Sequence, residues 1–233
     1  MKSLHRLLKP LAAVVASTAL VLTLSSCANT THAAENGMVT YAEPNMFNNL
    51  YPPAGGYYPN GGVLNNIADR LLWQDPETLE LHPWIAEDLP DTNADDTEFT
   101  FHIRKGVTYS DGSVLDAANV KKNYDLYAKG DDSRMLTPSE QLPNYVKSEV
   151  IDDYTVKFYF SEPSPGFPQS TSVMNQALLS NDTLDLDDTG FSPGHATDIS
   201  GSGPFVIEEE DMGTKLVLKA RKDYDWAPPA RKD

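Results

Sequence analysis

The sequence predicts an α/β fold with a mixed sheet, and three consecutive patterns near the middle of the chain support this prediction. Phe99, Phe101 and Ile103 alternate with polar residues, which is typical of a strand with one buried face. A tight turn follows at 110–112, where glycine supplies the positive φ that other residues resist. Asp116 then occupies an N-cap position ahead of an apolar stripe at helical spacing. The stripe consists of Ala117, Val120, Tyr124 and Tyr127.

The remaining elements are predicted in order along the chain. A strand over 37–41 leads into a long loop rich in Pro, Gly and Asn, and residues 63–73 have apolar side chains at helical spacing. Asp75–Glu77 forms a turn that ends this helix. Two hairpins follow, with strands at 146–151 and 154–160 and at 204–208 and 215–219. Because strands and helices do not alternate regularly, we expect a mixed sheet and not a doubly wound domain.

The N-terminus has the pattern of an export signal. Basic residues precede an apolar run over 11–24, which is too short for an ordinary membrane span. The run ends in Leu24-Ser25-Ser26-Cys27, the pattern at which bacterial lipoproteins are cleaved and acylated. The alternative is an ordinary signal peptide with a chance cysteine. We expect a lipoprotein signal peptide at 1–26, lipidation at Cys27, a flexible tether over 27–36 and the folded part over 37–233.

This interpretation places the protein on the bacterial cell membrane, lipid-anchored and facing the periplasm or the cell exterior. Cys27 is the sole cysteine, so no intrachain disulfide can form. The formal net charge of −16 excludes binding to nucleic acid through its phosphates, which requires clustered Lys and Arg. We attribute the charge to the solubility of an exported protein and not to attraction of a cationic ligand.

The sequence lacks the residue spacing of the common catalytic and metal sites. No HExxH helix, no G-x-S-x-G elbow and no phosphate-binding loop occurs in it. The acidic segment 91–96 fails the EF-hand pattern, because its sixth and twelfth positions hold Asp96 and His102. We therefore expect no catalytic residue, no cofactor and no bound metal, and we interpret 91–96 as a solvated loop.

Three motifs, taken in order, resemble those of one protein family. They are Asp69–Leu72 with Asp75–Leu79 and Pro83–Glu87, then Phe101–Gly112, then Gly201–Phe205 with Arg221–Trp226. With these motifs the chain resembles the extracellular solute-binding proteins of family 5, the dipeptide, oligopeptide and nickel binders of ABC importers. Arg70 departs from the pattern, which usually has Gly at that position.

The resemblance implies a type II periplasmic-binding-protein-like fold, in which two lobes close around a ligand. It implies that this chain is the N-terminal part of such a protein, an incomplete, discontinuous first lobe with the second lobe absent. The implied function is capture of a small molecule or peptide, by a monomer, for delivery to ABC permease subunits in the membrane. The alternative is a non-transport surface lipoprotein that acts as an interaction or signalling module.

Two segments are candidates for ligand contact. The resemblance implies that the loop after the first predicted strand faces the cleft, and aromatic and amide side chains of the kind that line pockets continue this loop. Glycines in a later turn permit close approach of a ligand or of another backbone. The alternative for the first segment is a surface loop that Pro, Gly and Asn shape for turns alone, and the alternative for the second is a turn that starts a hairpin. The candidates are Glu43, Pro44, Asn45, Met46, Phe47, Tyr57, Tyr58, Gly201, Ser202, Gly203 and Pro204, with Asn60 continuing the loop.

Overall fold

A computed structural model of the protein describes residues 37–55 and 58–228. These residues fall into two units, 37–42 and a compact unit that begins at Glu43. The predicted signal peptide, Cys27 and the tether lie outside the described residues. In the part of the chain that the structure describes, no helix is long and apolar enough to cross a membrane.

The compact unit contains helices and antiparallel sheets. The helices are α1 (Tyr58–Ile67), α2 (Ala117–Lys129), α3 (Phe167–Ser170) and α4 (Asn181–Leu184). The strands are β1 (Leu72–Gln74), β2 (Leu81–Pro83), β3 (Asp91–Thr92), β4 (Glu98–His102), β5 (Tyr145–Asp152), β6 (Thr155–Phe160), β7 (Phe205–Asp211) and β8 (Lys215–Ala220). Short 3-10 helices connect them at Pro52–Ala54, Asp132–Arg134, Met174–Gln176, Thr189–Phe191 and Ala196–Asp198.

The strands form three sheets. β1 pairs with β2, β7 pairs with β8, and the central sheet has the order β3-β4-β6-β5. Among the described residues every strand pair is antiparallel. The predicted α/β class and the two predicted hairpins are confirmed, whereas the described sheets are antiparallel and not mixed.

The central sheet and α2 form the core as the sequence patterns predict. Phe99, Phe101 and Ile103 are buried, whereas His102 between them is exposed. Asp116 caps α2, because its Oδ1 accepts a hydrogen bond of 2.8 Å from the Asn119 backbone N–H. The apolar stripe of α2 packs on the sheet, where the Tyr124 ring lies 4.9 Å from the Phe158 ring. The residues of this stripe are buried without exception: Ala117, Val120, Tyr124 and Tyr127.

The helix predicted over 63–73 is misplaced. α1 begins earlier, at Tyr58, and ends at Ile67, while Leu72 starts strand β1. The Asp75 turn consequently joins β1 to β2 and does not end a helix; its Oδ1 accepts the backbone N–H of Glu77 at 2.7 Å. The apolar run misled the prediction because a buried helix and a short buried strand both require apolar side chains.

The strand predicted over 37–41 is also wrong. Residues 38–42 have no regular secondary structure in the described chain. A strand persists only where a neighbouring strand supplies hydrogen bonds, and no described strand pairs with this segment.

Candidate ligand-binding site

The Gly201–Gly203 turn packs directly against the C-terminal end of α1. The Gly203 backbone N–H donates a 2.8 Å hydrogen bond to the carbonyl oxygen of Ile67. A Cβ added at Gly201 would lie 1.9 Å from that oxygen, and one added at Gly203 would lie 2.5 Å from the Ile67 carbonyl carbon. Both glycines are therefore required by the close approach of another backbone, which was one of the two interpretations of this turn.

A buried carboxylate, Asp69, fixes the same turn. Its backbone N–H donates to Ser202 Oγ at 3.2 Å. Trp226 Nε1 donates to Asp69 Oδ2 at 2.8 Å and to the Ser202 carbonyl oxygen at 3.1 Å. The Tyr224 hydroxyl donates to Asp69 Oδ1 at 3.3 Å. Asp69 thus joins the glycine turn through its backbone N–H and the segment 224–226 through its carboxylate, just beyond the end of α1.

The environment of Asp69 disfavours its charged form. Complete burial raises the pKa of this carboxyl to about 7, although the hydrogen bond from Trp226 and the positive charge of Arg70 act in the opposite direction. The Arg70 guanidinium carbon lies 4.8 Å from the centroid of the Trp84 ring, and its Nη1 donates to Asn65 Oδ1 at 2.6 Å. Arg70, which departs from the family pattern, therefore places a positive charge next to Asp69.

The loop Glu43–Phe47 contributes both exposed and buried residues. Pro44 and Asn45 are exposed and Met46 is partly buried, whereas Phe47 belongs to the hydrophobic core. Of the two tyrosines proposed to continue this loop, Tyr57 lies outside the described residues. Tyr58 is the first residue of α1, and its side chain is also outside them.

Asn60 does not line a pocket as the sequence suggested. It is fully buried, and its Oδ1 accepts the backbone N–H groups of Asn48 at 2.9 Å and Asn49 at 3.3 Å. Its Nδ2 donates to Asn48 Oδ1 at 2.9 Å. All its hydrogen bonds therefore hold the loop that follows Phe47 against α1.

Glu43 has a carboxylate oxygen without a hydrogen-bond partner among the described residues. Its Oε2 is covered, and no donor from the described residues reaches it. Its Oε1 lies 3.2 Å from the position that a Cβ on Gly62 would occupy, so the glycine leaves room for the carboxylate. A covered carboxylate oxygen of this kind is an acceptor for an N–H or ammonium donor of a ligand.

Helix α1 brings the two candidate segments together. Glu43 lies beside Gly62, and the glycine turn lies against Ile67 at the end of the same helix. Five residues of an α-helix correspond to about 7.5 Å along its axis. The candidate contacts, separated by more than 150 positions in sequence, therefore flank one short helix.

Sequence reasoning missed the role of Asp69. Its only signal was its place in the first motif, with Trp226 in the third, and nothing in the spacing indicates that the two side chains meet. No group of three His, Cys, Asp or Glu side chains in the described ranges is arranged to hold a metal ion. In the acidic segment, Asp91–Thr92 forms β3, and Asn93 Oδ1 accepts the backbone N–H of Thr97 in the turn that follows.

A separate open pocket of about 520 Å³ lies where β4 ends and β6 begins. Its walls combine charged and apolar side chains, and it includes none of the predicted site residues. The residues around it are Glu87, His102, Ile103, Lys105, Asp152, Asp153, Tyr154 and Thr155.

Comparison with known proteins agrees with the motifs. A sequence profile described as bacterial extracellular solute-binding proteins, family 5 Middle, matches residues 80–233. The probable D,D-dipeptide-binding periplasmic protein DdpA of Escherichia coli is 30% identical over 151 residues, which are 63% of this chain and 27% of the relative. Protein XP55 of Streptomyces lividans is 29% identical over 205 residues, 87% of this chain and 35% of the relative. The chain thus spans roughly a third of the length of these curated relatives.

Solved structures share the fold. A dipeptide binding protein from Pseudoalteromonas sp. SM9913 in complex with Met-Leu superposes with a TM-score of 0.68 at 19% identity, covering 80% of this chain and 40% of that one. NikA from Brucella suis in complex with Fe(III)-EDTA superposes with a TM-score of 0.63 at 25% identity, covering 81% and 36%. The architecture is accordingly that of part of a type II periplasmic binding protein.

Proposed function

Because the chain belongs to the bacterial extracellular solute-binding proteins of family 5, we propose that it captures a peptide outside the cytoplasm for delivery to an ABC permease. The match over residues 80–233 is the single observation that carries the proposal. Binding proteins of this kind make and break no bonds; they act by enclosing a ligand in a hinged cleft. We therefore assign the chain a binding role and not an enzymatic one.

A peptide is favoured as the ligand by what the relatives bind and by the carboxylate of Glu43. Relatives and neighbours are described as binding a D,D-dipeptide, glutathione and the peptide STSA. Others hold Fe(III)-EDTA or Ni(L-His), so metal chelates form the competing ligand class. The Glu43 oxygen that has no partner among the described residues suits the ammonium or amide N–H of a peptide, donors that Fe(III)-EDTA lacks.

The proposed contact surface is the wall along α1. Glu43, Pro44, Asn45 and Met46 would contact the ligand from one end of the helix. Pro204, which is partly exposed, would contact it from the glycine turn, while the buried Gly201, Ser202 and Gly203 would hold Pro204 in place against α1. Phe47 would support the loop from the core. Tyr57 and Tyr58 stay in the proposal as residues that continue the loop.

We propose that the protein is held at the membrane through a lipid on Cys27. The support is the sequence Leu24-Ser25-Ser26-Cys27 after a short apolar run. Two or more acyl chains on one residue would hold the protein on the membrane nearly permanently, at about 0.8 kcal/mol per buried methylene. Metabolic labelling with a fatty acid is expected to mark the wild type and not Cys27→Ala. Equal labelling of the two proteins would show that Cys27 does not carry the lipid.

Calorimetry tests the peptide hypothesis. The chain without its predicted signal peptide is titrated with di- and tripeptides, and separately with nickel–histidine. Pockets usually bury most of a ligand, and one wall supplies only part of the contacts, so we expect affinity of about millimolar for peptides. Glu43→Gln is expected to weaken peptide binding about tenfold, whereas Glu80→Gln, an exposed control, leaves it unchanged.

Three results would count against this function. Binding of the nickel complex without binding of any peptide would make metal chelates, and not peptides, the ligand class. No heat with any solute would favour a non-transport interaction module. Equal affinities for wild type and Glu43→Gln would move the peptide away from this loop.

A further inference from the structure

Strand β5 is an open edge of the central sheet. The strand order β3-β4-β6-β5 places it last, and it is eight residues long. Within residues 37–55 and 58–228, no strand pairs with its outer side. An edge of this length presents backbone N–H and C=O groups that another strand can use.

Solvent reaches both charged and apolar side chains on this edge. Val146, Val150 and Ile151 are exposed to 50%, 38% and 54%. Val150 also lines an open groove of about 630 Å³ between β5 and α2, whose floor includes Ala118 and Leu126. Exposed apolar side chains beside unpaired backbone groups indicate a surface that gains free energy when it is covered.

The sequence of β5 is complementary to itself in the antiparallel direction. If two copies pair about a two-fold axis at Ser148, Lys147 of one copy faces Glu149 of the other, and the reverse pair forms as well. The same register brings Val150 to the end of the partner strand where Val146 lies, at the irregularity between Tyr145 and Lys147. Around the axis, charged side chains thus face side chains of opposite charge, and apolar side chains lie near apolar ones.

A lysine on an edge strand usually discourages strand addition, because its charge would be left without a partner. Here the position opposite Lys147 would hold a carboxylate. In the isolated chain Lys147 Nζ lies 3.3 Å from Glu149 Oε2 on its own strand and 4.7 Å from the centroid of the Tyr159 ring. The side chains of Lys147 and Glu149 are each about half exposed. The two charges therefore stand on the surface, within reach of a second copy.

We propose that β5 is a homotypic interface through which two copies of this chain pair edge to edge, forming a continuous eight-stranded sheet. The β5–β6 register is regular from Lys147 to Val150, so the Lys147–Glu149 pairs on either side of Ser148 form the centre of the interface. The two-fold axis places both α2 helices on the same face of the joined sheet. This pairing replaces the monomer expected from the resemblance, and each copy keeps its own ligand wall.

The pairing is weak and depends on salt. Each copy has a formal charge of −16, so two copies repel at low ionic strength, and screening at about 0.15 M reduces that repulsion. A strand pair alone buries less area than the roughly 1,200–2,000 Å² of a stable interface. We therefore expect dissociation constants in the range of tens to hundreds of micromolar.

Sedimentation equilibrium over a concentration series tests the proposal with charge-reversal variants. Lys147→Glu and Glu149→Lys each place like charges opposite one another, and each alone is expected to weaken pairing about tenfold or more. An equimolar mixture of the two variants restores opposite charges across the axis, so the mixture is expected to pair as the wild type does. A role within one chain would not produce this rescue by mixing.

Lys215→Glu is the matched control. It makes the same change in net charge as Lys147→Glu and breaks an exposed pair with Glu209 on the β7–β8 hairpin, where no self-pairing is proposed. It is expected to dimerise as the wild type does. A wild type that stays monomeric up to about millimolar concentration, or variants that pair unchanged, would overturn the proposal. Failure of the mixed variants to pair would overturn it as well.

Discussion

Gly201→Ala is expected to destabilise the protein by about 3 kcal/mol or more. The added Cβ would lie 1.9 Å from the carbonyl oxygen of Ile67, and backbone atoms on both sides leave no flexible side chain to move aside. The turn would have to move away from α1, which would also break the 2.8 Å bond from Gly203 to Ile67. Urea denaturation measures the loss as a lower midpoint, and failure to accumulate as folded protein is the extreme form of the same result.

Gly166→Ala is the control for this substitution. Gly166 is exposed at the start of α3, has a φ of −80°, and an added Cβ there meets nothing within 4 Å. Alanine is therefore expected to change the free energy of unfolding by less than about 1 kcal/mol. Similar losses for both variants would show that the turn does not pack against α1 as described.

Asp69→Asn is expected to alter how stability depends on pH. Burial raises the pKa of Asp69 to about 7, so between its ordinary pKa and 7 the folded protein holds a proton that the unfolded chain releases. The stability of the wild type should consequently fall as pH rises, by about 3 kcal/mol between pH 5 and pH 8. Asparagine resembles the protonated carboxyl in shape and does not titrate, so this decline should be missing from the variant.

The measurement is the free energy of unfolding of both proteins at several pH values. Taking the difference between wild type and variant cancels the titration of all other groups. Asp88→Asn is the control, because Asp88 is exposed and the substitution makes the same change in formal charge. Its free energy of unfolding is expected to depend on pH as that of the wild type does. Parallel pH profiles for wild type and Asp69→Asn would mean that Asp69 ionises freely, as an exposed carboxyl does.

The elements that the sequence predicted well are those whose pattern is local. Phe99 and Phe101 alternate with polar residues over one strand, and Asp116 caps the helix that follows it. The α1 boundary failed because apolar residues keep helical spacing from Ile67 to Leu71 while the backbone changes from helix to strand. What ends the helix is contact with Gly203, which is 136 positions away and has no local signal.

The candidate site was predictable in its parts but not in its arrangement. The glycines of the 201–203 turn stood out by residue type, yet their reason for being glycine is the backbone of α1. Asn60 has the residue type of a ligand contact, and only its buried position shows that it holds the neighbouring loop. Asp69 and Trp226 meet only because the fold brings together segments that the sequence separates.

The most direct test of solute capture at this wall is a titration followed by amide NMR shifts. Isotope-labelled chain is mixed with increasing dipeptide, up to about 10 mM, to reach the expected weak affinity. We predict that the shifts change at Glu43–Phe47, along α1 and at Gly201–Gly203, and that they saturate together. Absence of any change, or changes confined to the pocket around Glu87, His102 and Lys105, would contradict the account.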